Sequence, residues 1–166
     1  MKSYCDAVDR INEALGWLLG PVIVLVSAAI MYEVISRGVF NVATVWANES
    51  VVYGAAAVYL LAGGYAMLHR RHVRIDKIFA MISPQAIRRL DMIALPFLIG
   101  YALTLVVVGG QIAWTSFLQA EGTGTPWNPR IWPIKACIPL AGLLLLLQGI
   151  ANTLRDVGLA PAKSPT

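Results

Sequence analysis

Four long apolar stretches dominate the pattern of hydrophobic and polar positions along the chain. They cover residues 15–35, 51–68, 93–114 and 134–154, and most charged residues lie in the segments between them. A helix rises about 1.5 Å per residue, so about 20 apolar residues cross the hydrocarbon layer of a bilayer. None of the stretches alternates as a strand of a membrane barrel does. The pattern therefore predicts an all-α integral membrane protein with four transmembrane helices in a single domain, residues 1–166.

The segments that flank the spans carry patterns of their own. Residues 3–13 repeat apolar positions at helical spacing, which predicts an approach helix that merges into the first span. Pro84 is a favourable first residue for the helix that leads into the third span. Pro96 and Pro139 fall in the first turns of their predicted spans, where a missing donor costs little, so we expect at most mild kinks.

The loop between the second and third spans predicts a fifth, shorter helix. Over residues 74–82, Arg74 and Asp76 fall on one side of a helical wheel and Phe79 falls on the other. A short helix with one charged and one apolar face lies in the plane of the membrane. The pattern predicts that this interfacial helix anchors the chain in the cytoplasmic leaflet.

Basic residues are distributed unevenly between the two sides of the membrane. Ten of the 13 lysines and arginines lie in the two terminal segments and the long middle loop, and three lie in the other two loops. Basic residues near helix ends mark the cytoplasmic side. We therefore expect both termini in the cytoplasm. Topology and anionic lipid account for the basic loop, so nucleic acid is not an expected partner.

The sequence offers little to support catalysis or cofactor binding. It carries no glycine-rich phosphate loop, no zinc-protease motif and no nucleophile elbow, so we expect no enzyme activity. His69 and His72 are three residues apart and share a helix face, which leaves a haem or metal anchor as an alternative. They lie among arginines at a helix end, where a polar structural role is the simpler interpretation. No cofactor is expected.

Several residues in the spans favour contacts with another helix. Small side chains at Ala56, Gly63 and Gly64 share a stripe of the second span, and such stripes let helices approach closely in lipid. Gln148 lies deep in the fourth span, where an amide needs a hydrogen-bond partner. Glu49 begins the second span and is either an interfacial carboxylate or a polar contact to a partner.

Motifs spread along most of the chain resemble one transporter family, the small membrane subunit (DctQ-like) of tripartite ATP-independent periplasmic (TRAP) transporters. The order and spacing of these motifs agree with the family from about Tyr32 to Arg155. They are Arg37 with Phe40 and Asn41, Trp46 with Glu49, Gly63 with Gly64, the run from His72 to Asp76, the run from Trp132 to Pro139, and Gln148 with Gly149 and Ile150.

The resemblance implies a multi-pass protein of the bacterial inner membrane and a division of labour between subunits. A periplasmic binding protein captures an organic acid, and a large sodium-coupled membrane subunit transports it while the small subunit supports that large subunit. On this hypothesis the candidate contacts with the partners are Arg37, Trp46, Glu49, Ala56, Gly63, Gly64, Lys135 and Gln148. The substrate is not encoded in this chain.

One further alternative remains open from the sequence. The alternative is a self-sufficient small-solute transporter made of oligomerised four-helix protomers, with Glu33 as the candidate coupling carboxylate. Glu33 lies near the end of its span, four residues before Arg37, in the favourable order for a helical ion pair. A coupling carboxylate would instead face an interior pathway.

Overall fold

The four predicted spans form four helices. The computed structural model describes residues 2–69 and 84–156. The helices are α1 (Lys2–Val39), α2 (Ala47–Leu68), α3 (Pro84–Leu118) and α4 (Trp132–Asp156). Each is long and apolar enough to cross a membrane. Within the described ranges the only extended pairing is an isolated bridge between Gly122 and Arg130. The prediction of an all-helical protein with four spanning helices is therefore confirmed.

α1 is longer than its apolar stretch. Its 38 residues extend about 57 Å, nearly twice the thickness of the hydrocarbon layer. The predicted approach helix is continuous with the span, and its apolar side packs on the last turns of α4, where Val8 and Ala151 are buried together. The Tyr4 hydroxyl also donates to the Leu147 carbonyl at 3.2 Å. The start of α1 and the end of α4 therefore lie side by side.

α4 is the central helix of the bundle. α1, α2 and α4 pack against one another, and α3 packs along α4. Glycines allow the close approaches: a Cβ at Gly142 of α4 would lie 2.8 Å from the Ala102 carbonyl oxygen of α3. The bundle has two ends. We call the end with the start of α1 and the end of α4 the termini end, and the end with loops 40–46 and 119–131 the loop end.

The expected position of two prolines was wrong. Pro96 and Pro139 lie inside α3 and α4, well past the first turn. α3 begins at Pro84, well upstream of its apolar stretch from residue 93, because hydropathy marks the part of a helix that lipid covers and not the point where hydrogen bonding starts. α4 begins at Trp132, close to its predicted start, and Pro139 lies beyond its first turn. Pro84 is the first described residue of α3, in agreement with the predicted helix start.

The predicted interfacial helix lies outside the described residues. Arg74, Asp76 and Phe79 belong to that helix, and His72 also lies outside the described residues. The anchor over residues 74–82 therefore stays a prediction.

Candidate functional site

A buried polar network crosses the termini end of the bundle. Gln148 is completely buried and accepts a hydrogen bond from Asn12 Nδ2 at 2.8 Å. Its own amide nitrogen donates to Asp9 Oδ1 and to Asn152 Oδ1, both at 3.2 Å. Asn152 then donates to the Met67 carbonyl at 3.1 Å. The amide that the sequence predicted to need a partner finds several within this chain, on α1 and α4.

An ion pair closes this network. Arg155 binds Asp9 through two hydrogen bonds, Nη2 to Oδ2 at 2.8 Å and Nη1 to Oδ1 at 3.1 Å. The Arg155 and Asp9 side chains are 7% and 15% exposed, so solvent screens this pair little. We call Asp9, Asn12, Gln148, Asn152 and Arg155 the termini cluster. It joins α1 to α4 at the end of the bundle where α1 starts and α4 ends.

His69 lies next to this cluster and is engaged within the chain. Its Nε2 lies 3.1 Å from Glu13 Oε2, and its ring packs on Tyr65 with ring centroids 4.5 Å apart. Within the described ranges, no group of three or more His, Cys, Asp or Glu side chains is placed to hold a metal ion.

The loop end places Arg37 and Trp46 beside the turn from α1 to α2. Arg37 binds Glu33 at 2.6 Å, which confirms the predicted helical ion pair. The other Glu33 oxygen accepts hydrogen bonds from the backbone and hydroxyl of Thr44. Trp46 stacks on Tyr32, with ring centroids 5.7 Å apart. Glu33, the candidate coupling carboxylate, therefore holds the α1–α2 turn.

Glu49 is buried in the first turn of α2 and accepts hydrogen bonds from the α3–α4 loop. Its donors are the hydroxyls of Thr123, at 3.3 Å, and Thr125. One turn later, the Tyr53 hydroxyl donates to the Arg130 carbonyl at 2.9 Å. α2 therefore contacts both sides of the loop, and the hydrogen-bond donors to the Glu49 carboxylate come from this chain.

Lys135 is also engaged within the chain. Its ammonium group lies 2.5 Å from Glu121 Oε2, at the point where the loop leaves α3. The hydrogen bond from Lys135 lowers the pKa of the Glu121 carboxyl. The pair ties the start of the loop to the first turn of α4.

The small residues Ala56, Gly63 and Gly64 lie along one side of α2. Gly64 is buried against Asn12 and Leu144, and the nearest neighbour of Gly63 outside its own helix is Leu145. Gly63 and Gly64, which the sequence offered as contacts with a partner subunit, therefore pack against helices of this chain. Ala56 lies two turns before Gly63 on the same side and is half-buried.

The adjacent side of α2 carries the most exposed residue of the helix. Tyr59 lies at its centre and is 84% exposed, more than any other large hydrophobic side chain in the described part of the chain. Its neighbours at helical spacing are small or β-branched. The α2 open face consists of Val52, Ala55, Tyr59, Ala62 and Ala66. Val52 and Tyr59 are exposed, and the three alanines are half-buried.

Sequence reasoning missed the partners of Gln148 and the role of the loop threonines. A signal for the network was present in the residue spacing. Asp9 and Asn12 are three residues apart on α1. On α4, Gln148 and Asn152 are four residues apart, and Asn152 and Arg155 are three apart. Such spacing gives each helix one polar face. Contacts from Thr123 and Thr125 to Glu49 depend on how a long loop folds back, and no local pattern shows that.

The fold and its polar contacts define a multi-pass membrane protein whose deepest polar side chains bind one another. No curated protein matches the chain. The sequence model of one family, described as "Tripartite ATP-independent periplasmic transporters, DctQ component", matches residues 26–159. The chain belongs to this family, and it is the small membrane subunit of a TRAP transporter. The resemblance noted in the sequence is confirmed.

Proposed function

We propose that the chain is a static support for a large, sodium-coupled membrane subunit that takes up an organic acid delivered by a periplasmic binding protein. Family membership supports this assembly. The observation that carries the proposal is the termini cluster, in which Gln148 binds Asn12 and Arg155 binds Asp9. Because Gln148 binds Asn12 and Asp9 while Arg155 binds Asp9, these contacts stabilise the packing of α1 on α4. Among the described residues, Asn12 Oδ1 and Arg155 Nε are buried without a hydrogen-bond partner. The Asp9 carboxylate is paired with Arg155, so the cluster offers a transported cation no unpaired charge.

The termini end of the bundle faces the cytoplasm in this proposal, and the loop end faces the periplasm. The uneven distribution of basic residues supports this orientation, since ten of 13 belong to the terminal segments and the middle loop. The ion pair between Asp9 and Arg155 supports placing both termini on one side of the bacterial inner membrane.

The large subunit binds the α2 open face. Tyr59 lies about 18 Å from the start of α2 and about 14 Å from its end, so its hydroxyl is near the middle of a hydrocarbon layer of about 30 Å. No hydrogen bond of this hydroxyl is found among the described residues, and lipid offers none at that depth. A partner helix with an acceptor satisfies the phenol, and the surrounding alanines allow that helix to approach closely.

Tyr59→Ala tests this surface. Tyrosines at the centre of an interface often contribute about 2 kcal/mol or more, so the amount of large subunit that copurifies with the tagged chain should fall about tenfold or more. Tyr101→Ala is the matched control, because Tyr101 is also a lipid-facing tyrosine, 60% exposed on α3. It should leave copurification unchanged.

Two further measurements separate binding from folding. Tyr59 makes little contact within the chain, so the Tm of the purified chain should stay the same in Tyr59→Ala. Tyr59→Phe removes only the hydroxyl and should have a smaller effect on copurification, since hydrogen bonds between spanning helices average about 0.6 kcal/mol. Equal recovery of the large subunit with both alanine variants, or loss only with Tyr101→Ala, would refute the assignment.

A further inference from the structure

The α3–α4 loop has a defined shape. Its two sides pair through Thr123 N to the Pro129 carbonyl at 3.3 Å and Ile131 N to the Glu121 carbonyl at 3.0 Å. At the tip, the Gly124 backbone has a φ of +72°, and its N–H donates to the Asn128 side chain at 3.0 Å. These bonds give a narrow, closed loop that presents Trp127, which is 47% exposed.

The loop folds back over the bundle. It connects α3 to α4, yet its hydroxyls bind Glu49 and its Arg130 carbonyl binds Tyr53, both on α2. α2 packs on the other helices through α1 and α4. The tip therefore lies over the end of the protein and not beyond its edge over lipid.

A different set of aromatic residues marks the lipid boundary here. Trp114 stacks on Phe117 with centroids 5.9 Å apart, and Phe117 packs edge-on against Trp132 at 5.4 Å. Aromatic clusters of this kind are typical of the headgroup layer. Trp127 is not part of this cluster, so its exposed ring is available to a soluble partner.

We propose that Glu49 is a positioning residue for docking of the periplasmic binding protein. Through Thr123 and Thr125, its carboxylate holds the loop so that Trp127 forms part of the docking surface. A tryptophan on a loop that is already ordered loses little conformational entropy on binding, which favours affinity. This inference rests on the proposed function, and it replaces the prediction that Glu49 itself contacts a partner.

The test measures the affinity of the labelled binding protein for the complex of this chain with the large subunit in lipid nanodiscs. Glu49→Ala removes the acceptor for both threonines, so the Kd should rise about tenfold. Copurification of the large subunit should not change, because Glu49 acts on the loop. Glu49→Gln keeps an acceptor oxygen and should restore most of the affinity.

Two variants show whether Glu49 acts through the loop tip. Trp127→Ala should weaken docking by a similar factor, and the double variant Glu49→Ala/Trp127→Ala should be little worse than either single variant. Glu33→Ala is the matched control, because Glu33 also accepts a threonine hydroxyl at the loop end, from Thr44. It should leave the Kd unchanged.

Three results would overturn the inference: an unchanged Kd in Glu49→Ala, additive effects in the double variant, or loss of the large subunit in Glu49→Ala. A different result would refute the proposed function: the unmodified chain would not form a complex with the large subunit, or that complex would not bind the binding protein.

Discussion

Replacing Arg155 with methionine should lower the free energy of unfolding of the bundle by about 3 kcal/mol. The substitution leaves the Asp9 carboxylate at the contact between α1 and α4 without its cation, and removing one partner of a buried pair costs about 3–5 kcal/mol. We expect the lower end of that range because Asp9 keeps 15% exposure. Thermal or denaturant unfolding of the purified chain in detergent measures the change.

The control for this prediction is the exposed ion pair at the loop end. Arg37 is 65% exposed and pairs with Glu33 one helical turn away, so Arg37→Met should leave the free energy of unfolding nearly unchanged. The double variant Asp9→Asn/Arg155→Met, which leaves no unpaired charge, should recover most of the stability. Equal losses in Arg155→Met and Arg37→Met would show that the termini cluster does not hold the bundle together.

Replacing Gly142 with alanine should push α3 and α4 apart at their close contact and lower the free energy of unfolding. The new Cβ would lie 2.8 Å from both the Ala102 carbonyl oxygen and Leu105 Cβ, and 3.0 Å from the Val106 nitrogen. Two of these neighbours are backbone atoms, which cannot move unless a helix moves. Overpacking of this kind typically costs about 1–3 kcal/mol, even though alanine favours a helix more than glycine does by about 1 kcal/mol. Unfolding in detergent gives the size of the effect.

Gly100→Ala is the control in α3. A Cβ there meets nothing within 4 Å, so only the helix preference of alanine remains, and stability should rise by up to about 1 kcal/mol. If Gly142→Ala also stabilises the chain, the close contact between α3 and α4 is not part of the native packing.

The sequence predicted the spanning helices well because lipid imposes them. A segment of about 20 apolar residues has few other ways to satisfy its backbone in a bilayer. The helix ends were harder to predict, since helices continue into water where hydropathy gives no signal. That is why Pro96 of α3 was placed too close to the helix start, and why α1 extends over 38 residues.

The candidate site was only partly predictable, because each residue pattern shows which groups need partners and not where the partners are. Gln148 needed a partner, and the structure places Asn12, 136 positions away, beside it. Gly64 indicated close packing, and the neighbouring helices belong to this chain. Tyr59 gave no signal, because a single tyrosine in an apolar helix becomes informative only once its face is known to be open.

The central claim is that this chain supports transport and depends on the large subunit to carry it out. The most direct test is reconstitution in liposomes with an inward sodium gradient, followed by uptake of the acid that the binding protein carries. The account predicts accumulation when this chain, the large subunit and the loaded binding protein are all present, and none with this chain alone or without it. Accumulation of the acid by this chain alone would contradict the account.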